Sequence, residues 1–546
     1  MNKKIGILAL IIAIIALPLI FRKEASWVDD ADDKLVIITA HTEAIRREFS
    51  FAFREWYQER TGRTISLDWR VPGGTPEAVQ YIDNMYLNSF RNYWENDLGR
   101  PWTHKVQAAF HNSKIVLPED PADDSVPQAA RRAFLDSEVS SGVDVFFGGG
   151  TYEIDKQAEK GQLMPLGIVG DNPPKWFTES GMPEILGGNR LWDEEGRWLA
   201  SDVSSFGIIF NRDVLRELGF EKDPDDWTDL ADERVLGLVA LADPSKSSSI
   251  NKIFEVIIEQ QMHLRYKELK GLDREEREER AVKEGWERAM LLCQKIAANG
   301  RYFGDTSSKS ILDVSSGACA LGMAIDFYGR FQEENLKERT GGNRFGYIMP
   351  KGGSSISPAA IALLRGAPNR EVALMFVEFV MTMPGQQLWG LRGGTPGGPQ
   401  DSTLRCTPII KTFYNDESII PYRADPGLNP YENAKAFAHH PEWIEPVFRA
   451  FGFIVKTAFV DTHKELVSAW HEILRARKEG RIEDEQEALK VLRDFSRINY
   501  DEASGFIEQT LRGGNPLEEI GLHTRLTKHF RKQYKKAEEI ARGKRK

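Results

Sequence analysis

Short apolar runs that end in polar or glycine turns, each followed by apolar residues at helical spacing, recur along the chain. Residues 34–40 (KLVIITA) read as a buried strand, and His41, Thr42 and Glu43 end it. Ile45, Phe49, Ala52, Phe53 and Trp56 then mark one face of a helix reaching about Arg60, stopped by Thr61-Gly62. Residues 65–69 form a second strand, and Gly74, Thr75, Pro76 and Glu77 open a second helix. Residues 143–147 give a third strand, ending in Gly148, Gly149, Gly150 and Thr151, with a helix from about Tyr152 to Lys160. The clearest joint comes later. Residues 238–242 (LVALA) are a strand, Asp243-Pro244 breaks it, and Ser247, Ser248 and Ser249 precede Ile250, Phe254, Ile257 and Ile258 at helical spacing.

A serine turn before a helix offers free backbone N–H groups and hydroxyls, which suit an anion or a polar ligand group. One helix N-terminus contributes roughly 0.3–1 kcal/mol to an anion, whereas a micromolar ligand needs about 8 kcal/mol. A receptor therefore needs several such turns on one cleft, and the chain repeats the device. The other reading of each turn is an ordinary N-cap with its neighbours solvated.

Further strands are expected at residues 206–211, led in by Ser204 and Ser205, at 318–325, ending before Asp326, Phe327 and Tyr328, and at 345–349. Asp226 caps a short helix, residues 273–283 are a charged helical face, and residues 285–298 are amphipathic. Residues 371–381 and 385–389 are apolar helices, and the chain is mostly helical after 401. Residues 86–140 read as a partly helical surface insertion, residues 173–198 as irregular, and residues 531–546 as a frayed basic tail.

The chain has 546 residues, is 28% charged and carries a net charge of −10, which is globular in composition and argues against a nucleic-acid partner. Cys293, Cys319 and Cys406 fit no zinc or redox spacing and read as isolated core thiols, one disulfide being the alternative. His439-His440 lies beside a proline in a polar segment and reads as surface. No HExxH and no GxSxG is present, and no turnover is expected. Lys3-Lys4, an apolar run over 5–21 and Arg22-Lys23 form an export signal without a marked cleavage site. We read residues 5–21 as an uncleaved tether in the inner membrane, a cleaved signal peptide being the alternative. Either way the body is extracytoplasmic.

In order, GVDVFFG at 142–148, GQLMP at 161–165, GIIFN at 207–211, DWTDL at 226–230, GLVALADPS at 237–245, PKGG at 350–353 and GQQLW at 385–389 resemble the extracellular solute-binding proteins of ABC importers. The resemblance is to the branch with ferric-ion and polyamine binders and spans roughly residues 34–404. It implies an α/β, two-lobe periplasmic-binding-protein fold of type II with a mostly helical C-terminal extension. Residues 1–33 would be signal and spacer, and 34–200 lobe 1, completed by about 348–400. Residues 201–347 would be lobe 2, with 401–546 a helical region packing on the lobes. It also implies one small polar solute, delivered to an ABC transporter permease. Carried over by position, His41, Thr42, Glu43, Gly74, Thr75, Gly149, Gly150, Thr151, Ser204, Ser205, Ser247, Ser248 and Ser249 line the cleft, with Asp326, Phe327 and Tyr328 beside them. Ferric-binding members carry two adjacent tyrosines where this chain has Phe327-Tyr328. If Fe³⁺ were the cargo, its ligands would come from Tyr328, His41 and Glu43. A polyamine would instead use Asp326, Glu43 and aromatic walls. A membrane-tethered sensor of the same fold is the alternative function.

Overall fold

The computed structural model describes residues 31–544 except 436 and 438. The expected tether at 5–21 lies outside them. Among the described residues, no helix is long and apolar enough to cross a membrane.

The strands are β1 (Asp33–Thr39), β2 (Ile65–Arg70), β3 (Val145–Gly150), β4 (Leu163–Met164), β5 (Ile185–Leu186), β6 (Asn189–Arg190) and β7 (Trp198–Ser204). They continue as β8 (Phe206–Asn211), β9 (Val239–Ala242), β10 (Gly300–Gly304), β11 (Leu321–Ile325), β12 (Phe345–Ile348), β13 (Ser357–Leu364) and β14 (Thr407–Pro408). A seven-stranded sheet runs β14-β7-β13-β3-β1-β2 with β4 on β13, and a five-stranded sheet runs β10-β9-β11-β8-β12. The strands β5 and β6 form a separate hairpin, where the sequence pattern suggested irregular chain.

Each sheet is buried on both faces, and strand alternation sorts its residues. In the first sheet Leu35, Ile37, Val145, Phe147, Leu199 and Ile361 face a core built with the helices Glu43–Thr61, Arg370–Met381 and Met383–Gly390. Their neighbours Val36, Ile38, Phe146, Trp198 and Ala362 face a second core. That second core contains Tyr86, Phe90, Trp94, Val106, Phe110 and Phe134, all buried. Residues 86–140 are therefore not a surface insertion. Their aromatic side chains supply the apolar area that covers one face of the sheet, which the acidic, proline-bearing stretch around Pro118 masked in the sequence.

The second sheet is flanked by the helices Ser248–Glu268, Arg274–Asn299, Ser307–Ser316 and Asp326–Thr340, and the C-terminal region extends the core on one face. Phe206, Ile208, Leu241, Leu321 and Met323 share one core with Phe437, Phe451, Phe459, Trp470, Phe530 and Tyr534. Direct hydrogen bonds fix this docking: Trp286 Nε1 donates to Ile498 O (2.8 Å) and Gln294 Nε2 to Leu492 O (2.9 Å), while Tyr534 Oη donates to Ala458 O (3.0 Å) within the C-terminal region. The charged run and the amphipathic run after it are one helix, Arg274–Asn299. The expected frayed tail is instead the end of the helix Pro516–Ala541, whose Phe530, Tyr534, Ala537 and Ala541 are buried. Its Lys and Arg residues lie between these positions, so a basic count alone hid an amphipathic helix. All three cysteines are buried and free.

The chain passes between the sheets three times. Only Ser205 separates β7 in the first sheet from β8 in the second. Residues 349–356 return from β12 to β13. Later, Ala434 packs in the core of the first sheet and Phe437 in that of the second.

Replacing Tyr534 by alanine removes a buried ring and its hydrogen bond to Ala458, and should cost about 3–5 kcal/mol in urea unfolding. Ile520, on the same helix, is 62% exposed; Ile520→Ala should change stability by less than about 0.5 kcal/mol. Equal effects of the two changes would show that this helix does not dock as described.

Candidate functional site

The pairing registers show which strand ends the two sheets bring together. In the first sheet β1 runs parallel to β2 and β3, so the helices that follow these strands all start at one edge. Gly150, the end of β3, is opposite Ala359 near the start of β13, and Ser357 is opposite Ser204, the end of β7. In the second sheet β9, β10 and β11 are parallel, and Ile325 at the end of β11 pairs with Phe206 at the start of β8. With Ser205 alone between Ser204 and Phe206, the carboxyl ends of both parallel sets border the same crossing. That edge of an α/β sheet is where ligands bind.

Six helices begin there. Their N-cap residues are Thr42, Gly74 and Gly150 on one lobe and Ser247, Thr306 and Ile325 on the other, and none makes a side-chain cap hydrogen bond. Away from this edge, Asn211, Asp273 and Asn515 do cap their helices. Phe327 N–H donates to Asp326 Oδ1 and the Glu153 carboxyl accepts from its own N–H, while the other helix starts keep backbone N–H groups without a capping side chain.

On the first lobe three joints touch. A Cβ on Gly148 would lie 2.6 Å from His41 Nε2, and one on Gly149 would lie 2.8 Å from Thr75 Cγ2. Both glycines have positive φ, 92° and 95°, so the close approach and the backbone both require glycine. The strand β3 continues through Gly150 rather than ending at Phe147. His41 packs edge-on to Phe147 at 4.6 Å and beside Trp389 at 5.6 Å, and its Nδ1 is buried without a hydrogen-bond partner. Burial, with help from the Arg46 charge, pushes its imidazole down to about 3, so the ring is neutral at physiological pH. Thr75 is buried, Thr151 half-buried and Glu43 exposed.

The second lobe differs. Ser248 is exposed, Ser247 and Ser249 are half-buried, and none of the three hydroxyls bonds to a described residue. Ser249 stands three residues before Lys252, a spacing found in serine–lysine hydrolases, but the Lys252 ammonium is ion-paired with Glu255. Ser204 and Ser205 are buried at the crossing between two strands, not at a strand-to-helix joint. Asp326 is also buried, and it accepts from Ser205 Oγ and from Arg330, both at 3.0 Å. Arg330 in turn donates to Arg405 O (2.9 Å), and Arg405 is ion-paired with Glu334 and Asp425. This network knits the crossing, and it occupies Asp326. Phe327 packs against the first lobe's core and Tyr328 against the second sheet. Burial pushes the Tyr328 phenol up to about 12.

Sequence reasoning missed Glu153. It sits in the first turn of the helix Thr151–Lys160, where an acidic residue reads as a partner of the helix dipole. Its carboxyl is half-buried, makes no ion pair with a described residue, and is raised above the usual carboxylate range by burial. It feels Glu255 and Lys252, on the helix that starts at Ser248 in the other lobe. His439 was also misread: its side chain is 11% exposed and lies against Glu259. No local pattern announces a histidine buried by a partner 180 residues away.

The profile of the bacterial extracellular solute-binding proteins matches residues 140–412, half of the chain. The chain belongs to that family. Comparison with curated proteins returned no match. Similar solved structures include the ferric binding protein from Campylobacter jejuni, at 14% identity, 74% of this chain, 95% of that chain and a TM-score of 0.43. Iron-bound HitA from Pseudomonas aeruginosa (15%, 75% and 94%, 0.42) is another. A third is the periplasmic binding protein AfuA from Actinobacillus pleuropneumoniae with fructose-6-phosphate (15%, 70% and 86%, 0.42). This extracellular solute-binding protein is thus a non-enzymatic binding protein of a transport system. Its two α/β lobes carry a helical C-terminal region that shares the large core of the second lobe.

Two buried groups give this solute-binding protein opposing pH responses. Below about pH 6.5 the unfolded chain protonates His41, but the folded chain does so only near 3. Stability from His41 therefore falls as pH falls, by about 1.4 kcal/mol per pH unit. Burial pushes Asp202 up to about 7 from 3.8, so its contribution has the opposite slope. In a His41→Asn variant the first slope is lost. Its urea stability, minus that of the parent, should rise by about 1.4 kcal/mol for each unit from pH 6.5 to 4. A pH-independent difference would mean that His41 is not held neutral.

Proposed function

We propose that the chain captures a small amine-bearing solute of the polyamine kind between its lobes and delivers it to an ABC transporter permease. The observation that carries this reading is Glu153, a carboxylate at the interlobe face with no ion pair among the described residues. A partly buried carboxylate is stabilised by a cation, and an ammonium entering the cleft would supply one. Glu43 and Glu77 occupy the first turns of the neighbouring helices on the same lobe and would extend the acidic wall. Tyr152 beside Glu153 is already in use, with the Lys156 ammonium 3.7 Å over its ring and Phe448 against it at 4.3 Å. On the other lobe the hydroxyls of Ser247, Ser248 and Ser249 would accept hydrogen bonds from a second ammonium of the solute.

Ferric ion is the less favoured cargo. Phe327 offers no ligand atom. Tyr328 packs on the second sheet with its phenol pushed up to about 12, which disfavours a tyrosinate. His41 lies in an aromatic pocket, and Glu43 is exposed. The ligand would favour the closed state because neither lobe alone supplies the roughly 8 kcal/mol of a micromolar complex. Residues 5–21 would tether the protein to the inner membrane beside its permease. An intact N-terminus on sequencing of the membrane fraction is the expected result, and a mature N-terminus after residue 21 would remove the tether.

Calorimetry with putrescine and spermidine tests the cargo. Micromolar binding is expected for the parent, with at least a tenfold loss in Glu153→Gln, about 1.4 kcal/mol or more. Replacing Ser248 and Ser249 together by alanine should cost about 1–3 kcal/mol. Tight ferric-ion binding without amine binding, undiminished in Glu153→Gln, would overturn the reading.

A further inference from the structure

A second set of chemically capable side chains lies outside the strand-to-helix joints. Glu255 and Glu259 stand one turn apart on the helix Ser248–Glu268, so they project on the same side. Both are buried, at 2% and 0% exposed. His439 arrives from the third passage of the chain between the lobes. Its Nδ1 lies 2.8 Å from Glu259 Oε2 and 3.9 Å from Glu255 Oε1. One ligand atom from each residue lies within 4.8 Å of the other two, the one such group of three His, Cys, Asp or Glu found among the described residues.

We propose that Glu255, Glu259 and His439 bind one divalent transition-metal ion of the Zn²⁺ type. Ligand atoms at about 2.0–2.2 Å from a tetrahedral metal are about 3.3–3.5 Å apart, and the separations of 2.8 and 3.9 Å straddle that edge. The chemistry of the set agrees: one imidazole and two carboxylates are ligands of borderline and harder divalent ions. Glu259 is already oriented, because the backbone N–H of His440 donates to its Oε1 and leaves Oε2 facing His439. Electrostatics points the same way. Two carboxylates buried this close need neutralising. Lys252 supplies one charge, at Glu255. A divalent ion on the three ligand atoms would supply the rest.

The position gives the metal a mechanical role. The His439 backbone N–H donates to Gly187 O at 2.8 Å, in the hairpin of the first lobe. A Cβ on Gly188 would lie 1.9 Å from His439 O. An ion on these three ligands would pin the third passage to the second lobe's longest cleft helix while that passage rests on the first lobe. It is a fastener of the C-terminal region and is independent of what the cleft carries.

The test uses the full chain, stripped with chelator. Titration with ZnCl₂ should give one ion per chain and a higher melting temperature, and Co²⁺ should give a visible d–d spectrum. In His439→Ala and Glu259→Gln the Zn²⁺ affinity should fall at least thirtyfold and the Co²⁺ spectrum should disappear, with circular dichroism confirming the fold. Should His439→Ala not fold, Glu255→Gln serves in its place. A stripped parent chain that takes up neither metal, or a folded variant that binds Zn²⁺ as tightly as the parent, would overturn the proposal.

Discussion

The molecule turns on Ser205. Because a single residue joins β7 of one sheet to β8 of the other, the two sheets cannot choose their relative direction freely. The register at that crossing sets the carboxyl ends of β1, β2 and β3 toward those of β9, β10 and β11. The cleft then follows from the handed βα connections, which start every following helix at the same edge. The Ser205–Asp326–Arg330 bonds and the Arg405 ion pairs hold the crossing in shape. Their buried charges are satisfied locally, so the network specifies geometry more than it adds stability.

The lobes offer a solute different surroundings. The first supplies a neutral imidazole, close-packed glycine backbone and carboxylates in the first helical turns. The second supplies hydroxyls, a helix start with no acidic residue in its first turn, and a lysine already paired. In the proposed polyamine complex the carboxylates of the first lobe and the hydroxyls of the second would meet the two ends of one ligand. Clamping then depends on both ends being met together.

Much of the frame could be read from the chain because its signal is local. An apolar run of four to six residues followed by a polar turn marks β1, β3 and β9 without knowledge of anything else. What could not be read was fixed by distant partners. Phe90 and Phe134 are core only because a sheet face lies above them, and His439 is buried only because Glu259 lies there. The basic C-terminal segment spaces Phe530, Tyr534, Ala537 and Ala541 at helical intervals, but its charge drew attention first. At the site, the glycine and serine turns were visible, whereas Ser204 and Ser205 joined two strands instead of a strand and a helix. Glu153 was hidden because a glutamate in a first helical turn has an ordinary explanation.

The dependence of the second lobe on the chain's end sets an order of events. Strands between Phe206 and Ile325 share one core with residues 437–541, more than a hundred positions later. Contacts of such sequence separation form slowly, since a long loop must close before they form. The helix Pro516–Ala541 brings Phe530 and Tyr534 to that core, so the core is complete only once a segment distant in sequence has docked.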